Sequence, residues 1–434
     1  MSVKVLMFGW EFPPYISGGL GTACKGIVEG LIKNEVQVAL VVPKILEDRT
    51  KPYRLIDAGK VPITGSENIQ QELHKIYHYY EINSPIVPYL DPEDFSAKAS
   101  SIDISKYKDF ENKGRFYKFS GRYGPDLFLE VGNYAAVASS LALSEQFDII
   151  HAHDWHAFPA GIMAKKLSKK PLIIHIHSTE FDRAGDSINK DIYQLEKDTM
   201  LIADHIITVS EFTKKILVDR YEISPLKISV IHNAIEKPDA KTDYRRLRKH
   251  KEKIVTYLGR ITFQKGPEYF IEAAAKVLKV NRKFRFVMAG NGNMLYRMID
   301  LASKHRISDH FHFTGFLNAK EVEDLLSISD AYVMPSVSEP FGLSALEATY
   351  HQIPSIISIQ SGVQEVLDHS IKLDFWDTDA MANAIYAIGS YPSLSRTLVC
   401  GSQKELNHFD WDRQTFKIKH LYQQLINSCN TAYP

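Results

Sequence analysis

Two carboxylates and two cations stand in pairs whose spacing suits chemistry. Glu339 and Glu347 lie eight positions apart in Ser338-Glu339-Pro340-Phe341-Gly342-Leu343-Ser344-Ala345-Leu346-Glu347. Eight residues make about two helical turns, so both carboxylates fall on a similar face. Arg260 and Lys265 share the loop Gly259-Arg260-Ile261-Thr262-Phe263-Gln264-Lys265-Gly266-Pro267. A planar guanidinium fork and a compact ammonium on one glycine-bounded loop are the chemistry that binds phosphate oxygens. A third group is His151-Ala152-His153-Asp154-Trp155-His156, where three histidines and an aspartate invite a metal reading. His151 and His153 alternate on a strand end, however, and no partnering cysteine or HExxH element accompanies them, so the expectation is no metal.

The elements that must position these groups follow from hydrophobic patterning. Residues 331–334 form a short apolar run that reads as a buried parallel strand, and Leu343, Leu346, Ala348 and Tyr350 then take helical spacing until Pro354. Glu339 therefore falls on a strand-to-helix turn at a strand's carboxyl end, where open α/β sheets bind ligands. Gly342 lets a ligand approach the backbone and Pro340 suits a first helical turn. Near the N-terminus, residues 3–9 read as a strand. They lead through Trp10-Glu11 and Gly18-Gly19-Leu20-Gly21 to a helix with apolar Ala23, Ile27, Val28 and Leu31. Strand, glycine loop, helix is a phosphate-binding layout in general terms, though the third glycine of the dinucleotide fingerprint is missing. Strands over 147–150 and 171–177 place Asp154 and His177 at their ends, and Ser210 is expected to cap a helix whose exposed N-terminus can hold acceptor or phosphate. In the second half, strands at 254–258, 284–289, 311–316 and 355–359 precede Arg260, Gly290-Asn291-Gly292, Phe316 and Ser361-Gly362-Val363-Gln364-Glu365. The last stretch is expected to offer another helix N-terminus for phosphate or sugar hydroxyls. Asp377-Thr378-Asp379 reads as a helix N-cap, and residues 411–426 as a long terminal helix.

A chain of 434 residues exceeds what one core usually serves, so two domains are expected. The break falls in the charge-rich segment 236–253, whose basic centre, Arg245 to Lys251, reads as a solvated linker helix. Residues of about 44–124 read as an insertion with short strands over the cleft side, rich in aromatics such as His78-Tyr79-Tyr80 and Phe116-Tyr117-Lys118-Phe119, whose rings either pack the insertion itself or stack on sugar faces. A net charge of zero gives no electrostatic reason for a nucleic-acid or anionic-membrane partner. Three scattered cysteines make neither a disulfide framework nor a zinc module. With no signal peptide and no run of about eighteen apolar residues, the expectation is a cytoplasmic protein without a membrane span.

The Glu-Pro-Phe-Gly-Leu-x3-Glu stretch resembles the Glu-x7-Glu motif of retaining, nucleotide-sugar-dependent glycosyltransferases with the GT-B fold. Gly-Arg-x4-Lys-Gly is similar to that family's leaving-group loop, and Glu-x-x-Pro with Gly-Gly-Leu and the His-Asp-Trp-His string resemble glycogen and starch synthases. The resemblance spans almost the whole chain except the insertion. It implies an α/β protein of GT-B fold, two Rossmann-like parallel-sheet domains facing across a cleft. These are residues 1–240 on the acceptor side and 253–410 on the donor side, with residues 411–434 as a helix crossing back.

The resemblance also implies roles. Arg260 and Lys265 would neutralise the nucleoside diphosphate leaving group, Glu339 and His177 hold the donor sugar, and Glu347 take the ribose hydroxyls. Gly18, Gly19, Gly290, Phe316, Gly342 and Leu343 would line the donor site, and Glu11, Asp154, Asp182 and Arg183 the acceptor side or cleft. No metal or other cofactor is implied; the partners are a nucleotide sugar and a glucan. Bacterial ADP-glucose enzymes carry Lys-x-Gly-Gly-Leu-x-Asp, whereas Ile16 and Thr22 stand at those places here. Those enzymes also generally lack the second glutamate, present here as Glu347. Both departures leave UDP-glucose and ADP-glucose open as donors and move the resemblance towards family 4. Ser178 stands where related synthases often have asparagine. Rival readings are mannosyl or galactosyl transfer to a cell-envelope acceptor, a GT-B sugar-nucleotide epimerase, and a non-catalytic glucan- or nucleotide-binding protein.

Overall fold

A computed structural model describes residues 2–13, 18–45, 53–63, 116–235, 251–407 and 409–432. Ile16, His78-Tyr79-Tyr80 and the basic run from Arg245 to His250 lie outside the described residues. The described chain builds two separate all-parallel sheets. The first has seven strands: β1 (Lys4–Phe8), β2 (Gln37–Val42), β3 (Arg54–Asp57), β4 (Ile149–His153), β5 (Leu172–Ile176), β6 (His205–Thr208) and β7 (Ile228–Val230). Their order across the sheet is β3-β2-β1-β4-β5-β6-β7. Around them stand α1 (Gly19–Lys33), α2 (Leu127–Ser144), α3 (Asp154–Ser168), α4 (Glu180–Ala184), α5 (Lys190–Ile202) and α6 (Glu211–Tyr221).

The second sheet comprises β8 (Lys253–Leu258), β9 (Phe284–Ala289), β10 (Phe311–Gly315), β11 (Ala331–Met334), β12 (Ser355–Ser358) and β13 (Ile371–Leu373), ordered β10-β9-β8-β11-β12-β13. Its helices are α7 (Pro267–Val280), α8 (Leu295–Lys304), α9 (Ala319–Ile328), α10 (Leu343–Tyr350), α11 (Thr378–Ser390) and α12 (Pro392–Leu406). Asp377 caps α11, its carboxylate accepting from the N–H of Ala380 at 2.9 Å. Strands β4, β5 and β11 are buried along their whole length, β11 as a continuous apolar run and β4 and β5 with buried histidines among their apolar residues. In each sheet the strand order reverses beside its first strand, between β1 and β4 and between β8 and β11. Such switch points open a crevice at the carboxyl ends of the strands.

The last helix, α13 (Trp411–Ala432), packs against α1. Glycines on α1 permit a close approach: a Cβ on Gly26 would lie 2.1 Å from the Trp411 ring, and one on Gly30 2.6 Å from Thr415. Asn34 at the end of α1 donates to the Asp412 carbonyl at 2.9 Å, and Tyr422 reaches His151 at 2.6 Å. Among the described residues one helix, Leu127–Ser144, is long and apolar enough to cross a membrane, and it is a largely buried core helix packed on α3.

Two expectations need correction here. The stretch from residue 44 is not wholly an insertion, because Arg54–Asp57 extends the sheet, pairing Ala39 with Arg54 and Val42 with Asp57. Its consecutive Leu55 and Ile56 are only half-buried, as befits an edge strand, and the short run escapes periodicity. The Ser361 stretch does not start a helix either. It is a four-residue 3₁₀ turn, Gly362–Glu365, whose first N–H groups are taken by the carbonyls of Glu339 and Phe341.

Candidate active site

The two switch points bring the predicted residues towards one cleft. On the C-terminal side, β8 ends at Leu258 and the chain passes through Arg260 into a 3₁₀ turn, Phe263–Lys265. Backbone bonds brace this loop against the next strand end, with Val337 N–H donating to the Gln264 carbonyl at 2.9 Å. Gly266 takes φ 57°, and a Cβ there would meet the Pro335 carbonyl at 2.1 Å, so only glycine permits this approach. The result is an ion pair between Lys265 Nζ and Glu339 Oε2, 74 residues apart in sequence. Ser336 donates to the same oxygen at 3.2 Å, and the Glu339 N–H donates to the Gln360 carbonyl at 2.9 Å. An ammonium has three donors, so Lys265 retains capacity for a second acceptor. Arg260 donates to Gln264 at 3.4 Å, and its guanidinium also acts electrostatically on Glu11 across the cleft.

Glu347 sits on α10 after Gly342, which caps that helix at φ 110°. Burial pushes the Glu347 carboxyl up to about 7. Leu343 packs on cores of both halves. Gly290 closes the end of β9: its N–H donates to the Gly315 carbonyl at 2.9 Å, and a Cβ would lie 1.9 Å from the Gly259 carbonyl. Phe316 is 69% exposed, and no described ring contact joins it to the other predicted residues.

On the N-terminal side the groups are buried. Helix α1 begins at Gly19 with Gly18 as its N-cap, both exposed, and the Gly21 N–H of its first turn donates to the Glu11 carboxylate at 3.3 Å. A Cβ on Gly18 would be 2.9 Å from Glu11 Oε2, whereas one on Gly19 would meet nothing within 4 Å. Burial raises the Glu11 carboxyl, opposed by the Tyr123 hydroxyl, which donates to it, and by Arg260. Asp154 takes φ 57°, a left-handed conformation that costs a non-glycine residue about 1–2 kcal/mol. There its carboxylate accepts the His177 N–H at 2.7 Å and fixes the end of β5. Burial pushes Asp154 up to about 7 and pulls His177 down to about 3, so that imidazole is neutral.

Arg183 donates to Glu196 at 2.6 Å, to Glu180 at 3.1 Å and to the Ser178 carbonyl at 3.1 Å. Asp182 is held by Thr179 in a capping box and accepts from Ser338, so it joins the two halves. Asp182 and Arg183 thus belong to a structural network at the cleft wall.

The helix N-terminus expected to be open at Ser210 is closed. Ser210 caps α6, accepting from the Thr213 N–H at 3.0 Å, but the N–H groups of Glu211 and Phe212 go to the Glu365 carboxylate at 2.9 and 2.7 Å. His232 reaches the same carboxylate at 2.9 Å, and Ser210 donates to the Pro340 carbonyl at 2.6 Å. Sequence reasoning gave no role to Tyr123, Ser338 or Glu365, whose partners lie at least 112 positions away. Only adjacency to Glu339 could have flagged Ser338.

Two nucleotide-binding-type sheets with carboxyl ends meeting across a cleft, and a Lys–Glu pair at one switch point, define a GT-B glycosyltransferase. The chain belongs to that class. The family model described as Glycosyltransferase Family 4 matches residues 106–237, and that described as Glycosyl transferases group 1 matches residues 239–388. An uncharacterized glycosyltransferase of Methanocaldococcus jannaschii is 27% identical, covering 97% of this chain and 98% of its own. A glycogen synthase of Mycobacterium tuberculosis is 24% identical, covering 97% and 94%. The solved sucrose-phosphate synthase of Thermosynechococcus elongatus shares the fold with a TM-score of 0.74 and 18% identity, over 98% of this chain and all of that one.

Proposed function

We propose that this glycosyltransferase moves glucose, with retention, from a nucleoside diphosphate glucose to a growing α-glucan. The observation that carries this reading is the Lys265–Glu339 pair on rigid, interlocked loops at the carboxyl ends of β8 and β11. Arg260 lies on the same loop. Similarity along nearly the whole chain to a glycogen synthase supports the choice of sugar and acceptor.

In this reading the spare donors of Lys265 and the Arg260 guanidinium stabilise the departing diphosphate, so the reaction needs no metal. Glu339 accepts from sugar hydroxyls, and neutral His177, held at its backbone by Asp154, positions the sugar from the opposite wall. Glu347 takes the ribose. The bond from the sugar's anomeric carbon to phosphate breaks as the bond to the acceptor hydroxyl forms on the same face. The leaving phosphate takes the electron pair and then the hydroxyl proton. The protein supplies placement and charge stabilisation rather than a covalent intermediate.

The test is nucleoside diphosphate release with UDP-glucose, ADP-glucose and GDP-mannose, with and without glycogen. Glycogen-dependent release from a glucose donor is the expected result and identifies the base. Release indifferent to glycogen, or from GDP-mannose alone, would move the function to another acceptor, such as a cell-envelope polysaccharide or lipid. Interconversion of the free sugar nucleotide would point to an epimerase, and binding without release to a non-catalytic protein.

A further inference from the structure

The residues on either side of Glu339 are each tied to the opposite wall of the cleft. Ser338 donates to Asp182 Oδ1 at 2.5 Å, and the Pro340 carbonyl accepts from the Ser210 hydroxyl at 2.6 Å and from Thr213 at 3.4 Å. Asp182 and Ser210 belong to the N-terminal half, 156 and 130 positions away. Glu339 itself is held by its own half. Lys265 and Ser336 donate to its carboxylate, and its N–H donates to the Gln360 carbonyl. The loop is therefore bonded to one wall through Glu339 and to the other through both its neighbours.

The local geometry reserves partners for these bonds. Of three consecutive carbonyls, those of Glu339 and Phe341 accept from the Gly362 and Val363 N–H groups at 2.9 and 2.6 Å, and the middle one, of Pro340, turns to Ser210. Gly362 makes the space, since a Cβ there would lie 2.2 Å from the Pro340 carbonyl and 2.5 Å from Ser210 Cβ. Asp182 divides its oxygens in the same way. Oδ2 accepts from the Thr179 N–H and hydroxyl at 2.7 and 2.8 Å, which fixes the carboxylate and leaves Oδ1 for Ser338. Ser210 is fixed as the cap of α6, accepting from the Thr213 N–H, while its hydroxyl proton goes to Pro340. Asp182, Ser210 and Glu339 are all buried, where a hydrogen bond is electrostatically stronger than in water.

We propose that Ser338 and Ser210 are positioning residues for Glu339. Through Asp182 and the Pro340 carbonyl they fix its loop to the wall that carries His177, and so set the separation of the two groups assigned to the donor sugar. The proposal rests on that assignment. Asp182 stands in α4, the short helix that follows the end of β5, where His177 sits, so the Ser338 bond reaches the segment of His177 itself. Consecutive Cα atoms are about 3.8 Å apart, so anchors on both neighbours leave Glu339 no pivot about either one. Turnover is sensitive to such placement, since a shift of about 1 Å can cost about 100-fold. Arg260 and Lys265 stand on a loop braced within the C-terminal half, so leaving-group binding does not depend on these two bonds.

The test uses the full chain carrying Ser338→Ala or Ser210→Gly, glycine being well tolerated at a helix N-cap. Circular dichroism and melting temperature check the fold. Steady-state kinetics use glycogen with UDP-glucose or ADP-glucose, whichever supports release, and calorimetry follows binding of the matching UDP or ADP. In each variant kcat is expected to fall about 10- to 100-fold with nucleoside diphosphate affinity unchanged. Ser338→Thr, which keeps the hydroxyl, is expected to recover most of the loss. In a Glu339→Gln background, Ser338→Ala is expected to cost nothing further, because a residue acting through Glu339 has nothing left to place. Bonds that only join the halves would lower the melting temperature and leave kcat alone. That result in both folded variants would overturn the proposal, as would a full further loss in the Glu339→Gln background. An unchanged kcat in Glu339→Gln would overturn the sugar role of Glu339 itself, and the proposal with it.

Discussion

The two walls of the cleft hold their charges in opposite ways. On the C-terminal wall, Arg260 and Lys265 stand on a loop fixed by backbone bonds, and Lys265 keeps donors to spare beyond Glu339. On the N-terminal wall the named charges are buried and held mainly by partners of their own half. Arg183 serves Glu180, Glu196 and a carbonyl, Asp182 closes a capping box, and Asp154 holds the His177 N–H. The difference suits a polyanionic leaving group on one side and a neutral sugar on the other. Cations for the former need free valence; groups for the latter need fixed position. The same kind of substitution should therefore cost stability on one wall and turnover on the other.

The sharpest break of that contrast is Arg183→Ala. It leaves Glu180 and Glu196 buried without their cation, and breaking such a network costs about 3–5 kcal/mol. The denaturant midpoint should fall accordingly, whereas an Arg183 that served substrate alone would leave it unmoved. Arg260→Ala and Lys265→Ala should show the converse. Turnover should fall about 10²- to 10³-fold, the usual loss of one transition-state charge partner, with the fold retained by circular dichroism. Unchanged turnover in both would remove the leaving-group assignment.

The same contrast decides what could be read from the chain. The C-terminal site was legible because its residues cluster within two short loops, Gly259 to Pro267 and Ser338 to Glu347, each following an apolar run that marks a strand. Both parallel sheets were legible for the same reason, since strands buried on two faces read as continuous apolar text. The N-terminal wall was less so. Glu196, Tyr221 and Tyr123 join it through hydrogen bonds across 13 or more positions, and nothing local marks them. The neighbours of the His-x-His of β4, His175 and Cys24, arrive only through the order of the strands and the packing of α1. The N-terminus of α6 looked open because the carboxylate that fills it comes from the other half of the chain.

Glu347 sharpens the comparison through pH. Its carboxyl is raised to about 7 by burial, so below that value it holds a proton and is no longer the anionic acceptor for ribose hydroxyls. If it binds donor, the donor KM should rise about tenfold for each unit that pH falls below 7, and Glu347→Gln should flatten the profile. For folding the sign is reversed. The folded carboxyl binds its proton more tightly than the ordinary value of 4.5, so its contribution is complete below 4.5 and is lost as pH rises to about 7.

The smallest expected effect joins the two walls rather than separating them. Glu365 is a carboxylate of the C-terminal half that caps a helix of the N-terminal half and meets His232 there. Burial alone would raise its pKa, but the His232 ring and the N–H groups of Glu211 and Phe212 outweigh this and hold it below the usual 4.5. A depressed carboxyl stabilises the fold above its unfolded value, and that contribution is lost as pH falls through the folded value. Glu365→Gln keeps shape and removes charge, and should cost about 1–2 kcal/mol at neutral pH, the sum of a charge-assisted bond and a helix-terminus interaction. The measurement is the difference in unfolding free energy between the two proteins from pH 7 down to pH values below the folded pKa. A difference that shrinks over the acid limb assigns the cost to this carboxylate's charge, and a constant difference assigns it to packing alone.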